Sequence, residues 1–210
     1  MLIKTYGSAI LGIDAITITV EVNIDAGVQF FMVGLPDSAV KESQHRIVAS
    51  FKNSGFNYPG KRIVINMAPA DIKKEGSAYD LTIALGILAA SDQLKSDELG
   101  KYIIMGELSL DGSLQPIKGA LSIAIEARKQ GFKGFILPEE NAREAAIVNN
   151  LEVIGVKSLR QVVDFLNGDI YYKTEYPEHN FDRAKNQFKL IESLSEKYKE
   201  MEVSNMVFKD

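Results

Sequence analysis

The run Leu81–Ala90, LTIALGILAA, is apolar on every side of a helix. A helix without a polar face has to be covered on most of its sides. It falls well short of the ~18 uninterrupted apolar residues of a membrane span, so its cover must be protein. That requirement points to a layered globular domain, and the rest of the sequence supplies the layers. Ala15–Ile24 (AITITVEVNI) alternates apolar and polar residues and is rich in β-branched types, which predicts a half-buried strand. Val28–Val33 predicts a second strand after the turn Asp25-Ala26-Gly27, and Arg62–Met67 (RIVINM) a third.

Helices alternate with these strands. GLPD punctuates the chain at Gly34–Asp37, and Asp37 is placed to cap a helix whose Val40, Ile47, Val48 and Phe51 share a face and which stops near Gly55. Further on, Tyr102–Leu108 predicts a strand and Asp111-Gly112 a tight turn. Ile117, Ala120, Leu121, Ala124 and Ile125 form the inner stripe of a helix closing at Gly131. Phe135–Leu137 and Glu152–Ile154 predict strands, Glu139–Val148 a helix, and Leu159–Leu166 a last helix ending at Gly168. Strands alternating with helices through the second half imply an α/β fold, an α+β layered sandwich with an antiparallel element at its start. After Gly168 the character changes. Residues 169–180 are polar and aromatic and predict a linker. Within 181–210, Leu190, Ile191, Leu194, Tyr198 and Met201 recur at helical spacing among Lys and Glu, the pattern of an amphipathic helix.

Composition narrows the chemistry. The 210 residues include no cysteine, which removes disulfides, zinc thiolates and a cysteine nucleophile. A formal charge of −4 gives no general attraction to nucleic acid, although Lys61, Arg62, Lys73 and Lys74 could form a local basic patch. The start MLIKTYGSAILGIDA has no uninterrupted apolar core of a signal peptide, and no segment reaches membrane-span length, so the expectation is a cytoplasmic protein with no membrane partner.

Four stretches bear on activity. Gly55–Arg62, GFNYPGKR, comes within one residue of a phosphate-binding P-loop, but Arg62 stands where a hydroxyl should hold magnesium. It also runs from helix to strand, whereas a P-loop runs from strand to helix so that the helix N-terminus faces phosphate. No nucleotide or other cofactor is expected to bind these residues. The two histidines, His45 and His179, have no ligand-like spacing, and a magnesium site would have to use carboxylates among Asp71, Asp80, Glu107 and Asp111. KKEGSAYDL, Lys73–Leu81, allows two readings. Ser77 with Lys73, Lys74 or Lys118 is the raw material of a Ser–Lys hydrolase. Equally, Ser77-Ala78-Tyr79-Asp80 before an apolar run is the capping-box pattern, with Ser77 and Asp80 satisfying each other's backbone N–H groups.

The motifs VGLPDSAVKES, NSGF, INMAPADIKKEGSAYDLTIALGILAAS and GELSLDGSLQPIKG strongly resemble the N-terminal domain of magnesium-chelatase-like AAA+ proteins of the ComM/YifB type, over about Met1–Gly168. The resemblance implies a Lon-protease-like, ribosomal-protein-S5 domain-2-like fold for residues 1–168. It also implies an association with an AAA+ ATPase module, or with further copies of the family, in DNA processing during natural transformation. ATP and magnesium would belong to that module, because no P-loop occurs in these 210 residues.

The likeness to Lon can be followed residue by residue. The protease nucleophile lies in K-D-G-P-S-A-G. With Gly76 as the first glycine, its position holds Ala78, and Ser77 replaces the proline. The protease lysine lies in a segment like E-I-x-L-x-G-x-V-x-P-I-G-G-L-K. Matching Glu107, Gly112, Pro116 and Gly119 puts Leu121 at that lysine. Both dyad positions are therefore aliphatic, and neither side chain can attack a carbonyl or accept a proton. The expectation is a non-catalytic scaffold or interaction domain. In it Ser77 and Asp80 cap a helix, and Leu121 is buried against that helix.

Overall fold

In the computed structural model of the chain, residues 2–169 are described. The expected linker beyond Asp169 and the expected helix within 181–210 lie outside them. The chain opens with β1, Leu2–Leu11, a strand that the sequence reading passed over because Gly7, Ser8 and Ala9 blur its alternation. It turns at Gly12 and pairs antiparallel along its whole length with β2, Asp14–Asp25, from Leu2↔Asn23 to Leu11↔Asp14. β3 covers only Phe30–Val33, leaving Val28 exposed in the preceding turn. The single helix expected after Asp37 is two, α1 (Ser38–Lys41) and α2 (Ser43–Asn53), and Val48 points outward rather than onto the common face.

β4, Arg62–Ala68, leads through a long loop to α3, Asp80–Ala90, every residue of which is buried. The strand expected over Tyr102–Leu108 is divided. β5 is Tyr102–Ile104, and after Met105 and Gly106 the chain leaves the main sheet to form β6, Glu107–Leu108, which pairs antiparallel with β7, Leu114–Gln115. The division has a visible cause. Gly106 N–H donates to Ala78 O (2.7 Å) and Leu81 N–H to Gly106 O (3.0 Å), so the start of α3 takes the backbone groups that would have continued the strand. Then come α4 (Ala120–Lys129), β8 (Gly134–Pro138), α5 (Glu139–Ala145), β9 (Glu152–Val156) and α6 (Leu159–Leu166).

Seven strands form one mixed sheet in the order β3-β4-β2-β1-β5-β8-β9. The first half is largely antiparallel and the second half parallel, β1 pairing parallel with β5. The fold is thus the α/β layered arrangement that the alternation of elements predicts. α3 lies over β1 and β2. Gly86 explains the glycine in its middle: a Cβ there would stand 2.7 Å from Val22 Cγ2, so the helix approaches the sheet as closely as it does only because that atom is missing. α4 lies mainly against β2 and α5. It starts at Gly119 beside Ile10, which leaves β1 on the face opposite Gly7 and Ala9.

Candidate functional site

The loop ending β3 and the long loop from β4 to α3 converge on one side chain. Lys74 is fully buried, and its Nζ donates to Gly34 O (2.9 Å) and to Pro69 O. Its backbone is tied in as well, N–H to Leu35 O (3.1 Å) and O from Asp37 N–H (3.0 Å). Burial pushes the Lys74 ammonium down from its usual range, while the charge of Asp71 pulls the other way. An ammonium so occupied braces the loop after β3 against the long loop from β4 to α3. Asp37 completes the knot. One carboxylate oxygen accepts from Val40 N–H (2.8 Å), the expected cap of α1, and the other from Gly76 N–H (3.1 Å).

The capping box at Ser77 does not form. The residue preceding α3 is Tyr79, which makes no side-chain cap hydrogen bond, and Asp80 N–H donates to the backbone O of Ser77 instead (3.1 Å). Tertiary partners take both side chains. Ser77 Oγ donates to Glu107, and Asp80 accepts two bonds from the Arg46 guanidinium (2.6 and 2.9 Å) and one from Leu108 N–H (3.1 Å). Asp80 is buried, which pushes its carboxyl up, against the opposing pull of Arg46; the same pairing holds the guanidinium protonated. Arg46 also donates to Ala39 O, tying α1, α2, α3 and β6 together (2.8 Å). Arg46 carried no signal of its own in the sequence. A buried Asp at a helix start, which needs a cation, was the one clue available.

Two of the three lysines proposed for a dyad are engaged elsewhere. Lys73 is exposed and paired with Glu75 (2.6 Å), Lys74 is held on carbonyls, and Lys118 is exposed in the loop before α4. The basic patch is also dispersed. Lys61 immediately precedes β4 and Arg62 is its first residue, with Arg62 over the Phe31 ring at 5.5 Å. Lys74 lies beyond the other end of that strand, about 20 Å away at ~3.3 Å per residue, and presents no charge to solvent. GFNYPGKR lies between α2 and β4.

Among the described residues no three His, Asp or Glu side chains gather as metal ligands. Asp111 accepts from Ser113, and His45 is exposed on α2. Among the same residues no helix is long and apolar enough to cross a membrane.

At the two positions matching the protease dyad, Ala78 and Leu121 are partly buried and packed against the core. Leu121 is therefore less buried than its stripe predicts. It sits in the first turn of α4, where its N–H donates to Glu144 of α5 (3.1 Å), and the principal neighbours of α4 are β2 and α5 rather than α3. The stripe buried on α4 runs through Ala120, Ile123, Ala124 and Ala127, and Leu121 stands at its flank, one position further round the helix.

Comparison with known proteins adds the lineage. Residues 20–141, more than half of the chain, match the family described as subunit ChlI of Mg-chelatase. The chain is 43% identical over 177 residues to the Escherichia coli protein YifB, covering 84% of this chain and 35% of that protein. It is 42% identical over 164 residues to the Haemophilus influenzae competence protein ComM, covering 78% and 32%. A weaker likeness, 29% over 129 residues, reaches Lon protease 2 of Bacillus subtilis, 60% of this chain and 23% of the protease. The chain spans about a third of the length of the first two relatives.

Proposed function

Because the chain belongs to the magnesium-chelatase-like family of ComM and YifB, we propose that residues 1–168 form a non-catalytic Lon-like, S5 domain-2-like scaffold or interaction domain. In this reading a helical tail follows a linker over 169–180, and the domain serves an AAA+ ATPase module, or an oligomer of its own family, in DNA processing linked to competence. The name of ComM supports the link to competence. The observation that supports the non-catalytic part is the engagement of Ser77 and Lys74 elsewhere, together with the aliphatic residues at the matching dyad positions. Ser77 Oγ is spent on Glu107, Lys74 Nζ on Gly34 O and Pro69 O, and the matching dyad positions are Ala78 and Leu121. A serine becomes a nucleophile only when a base can take its proton. Glu107 accepts the Ser77 hydrogen bond, and Lys73 and Lys74 are held by Glu75 and by the carbonyls of Gly34 and Pro69.

The test is labelling of the purified protein with a fluorophosphonate probe beside a casein peptidase assay. No covalent adduct at Ser77 and no peptidase activity are expected. An adduct that disappears in Ser77→Ala would overturn the reading. Adding ATP and magnesium to the same protein should give no saturable heat by calorimetry, since GFNYPGKR opens no helix.

A further inference from the structure

The two edges of the seven-stranded sheet, β3 and β9, are guarded unequally. β9 opens on the exposed Glu152 and is followed by the exposed Lys157, charges that discourage a stray strand from pairing there. β3 has no such guard. Residues 26–36 carry no charged side chain, and within them VQFFMV, Val28–Val33, combines aromatic and β-branched residues without charge, glycine or proline. Short uncharged segments of this kind pair with identical copies of themselves where an edge exposes them.

The backbone shows which groups the edge offers. Ile63 N–H donates to Gln29 O (2.7 Å), and this sets the parallel ladder. Gln29, Phe31 and Val33 turn their backbone groups to β4, so Phe30 and Met32 turn theirs outward. Among the described residues no partner takes those two N–H and two C=O groups. Phe30 and Met32 are half-buried on the face of Ile63 and Ile65, while Phe31 and Val33, 44% and 50% exposed, stand on the opposite face. Left-handed residues bound the segment, Gly27 (φ +120°) before it and Gly34 (+98°) and Leu35 (+56°) after it, which confines strand pairing to Val28–Val33.

An antiparallel second copy fits this edge in one register. Only residues with outward groups can exchange hydrogen bonds across it, and within β3 the pairing that uses all of them sets Phe30 opposite the copy's Met32. Four backbone bonds form, and a two-fold axis falls at Phe31. The two Phe31 side chains then meet as a non-hydrogen-bonded pair, Cα atoms about 4.5 Å apart, an aromatic cross-strand contact that adds to the pairing. Because the contact is isologous, it closes as a dimer. One short strand with its exposed side chains buries less than the ~1,200 Å² of a stable complex. The dimer is therefore reversible, and forms at high concentration or where copies are already held close.

We propose that β3 is a self-association edge, through which two copies of the chain join their sheets antiparallel with Phe31 on the two-fold axis. The contact uses no residue of the Ser77 region, so it stands apart from the scaffold reading above.

The absence of cysteine makes the test direct. In the 210-residue chain, Phe31→Cys brings two thiols within the ~4.4–6.8 Å Cα range of a disulfide. Val33→Cys, equally exposed on the same face, leaves its two Cα atoms about 14 Å apart in this register. Phe31→Cys should therefore oxidise to a covalent dimer about tenfold faster, or more, than Val33→Cys. It should outpace Leu11→Cys by as much, a position 49% exposed at the tip of the β1–β2 hairpin. Sedimentation equilibrium supplies a second reading. The wild type should show a monomer–dimer equilibrium that Phe31→Lys abolishes, with the circular dichroism spectrum of the variant unchanged. Equal oxidation at the three positions, faster oxidation of Val33→Cys, or a wild type that stays monomeric up to about 1 mM would each overturn the proposal; the last would leave the edge to a strand of another protein.

Discussion

Around Lys74 the chain is held by polar groups reaching for backbone, whereas around α4 it is held by aliphatic packing. In the first region a buried ammonium and Asp37 bind loops that have no regular structure of their own, and the Arg46–Asp80 pair joins the helices beside them. In the second, Ala120, Ile123, Ala124 and Ala127 close on the sheet and on α5 with few polar bonds. These are also the regions that hold the two positions matching a protease dyad. In the first the hydroxyl of Ser77 and the amine of Lys74, neighbours of the matching Ala78, are held in a network. In the second the lysine position holds a leucine at the edge of the core. A network fails when one member is removed, because its partners are left buried and unpaired; a packed layer relaxes partway around a lost methyl group. The two regions should therefore respond unequally to mutation.

The largest effect is expected at the ion pair. Asp80→Ala leaves the Arg46 guanidinium half-buried and Leu108 N–H without its acceptor, and should destabilise by about 3–5 kcal/mol in urea unfolding. Loss below about 1 kcal/mol would mean that the knot is not cooperative. Gly34→Ala comes next, at about 2–4 kcal/mol, since it adds a clash with Met67 O to a φ of +98°. On the packed side Leu121→Ala should cost only about 1–2 kcal/mol, below the 2–5 of a fully buried leucine, because Leu121 is partly exposed already. A larger loss would place it in the core after all. Smallest is Ser77→Ala, at about 0.5–1.5 kcal/mol, the net worth of its hydrogen bond to Glu107. Stability and hydrolysis measured together separate this structural role from a catalytic one.

A pH titration sharpens the same contrast from the packed side. Tyr102, sealed between α6 and the sheet, is pushed up to about 12, chiefly by burial. An acid whose folded pKa lies above its unfolded value, here about 10, stabilises the fold fully below that value and loses the contribution as pH climbs toward 12. Stability should hold to about pH 10 and then fall, and the fall should be shallower in Tyr102→Phe.

Much of the fold was legible because it rests on periodicity. The all-apolar Leu81–Ala90 had to be a buried helix, AITITVEVNI had to be a half-buried strand, and Asp37 had the position of a cap; each depends only on neighbours within a few residues. β1 was missed because its small residues exist to let Tyr79, Thr82 and Met105 approach Gly7, a reason that lies some seventy to a hundred positions away. Ser77 and Asp80 were legible as a polar pair before a helix, but their roles were not, since a serine or aspartate takes the best partner that the fold brings to it.

By itself the sequence determined the alternation of strands and helices, the buried helix, the lineage, and the aliphatic residues at both positions that match the protease dyad, because these are local or countable properties of the residues. Tertiary structure alone decided that Asp80 faces Arg46, that Lys74 is buried on carbonyls instead of lining a basic patch, and that Leu121 lies at the rim of the core. Each of these is set by which surfaces meet, and two short polar side chains commit to whichever donor or acceptor packing leaves within about 3 Å.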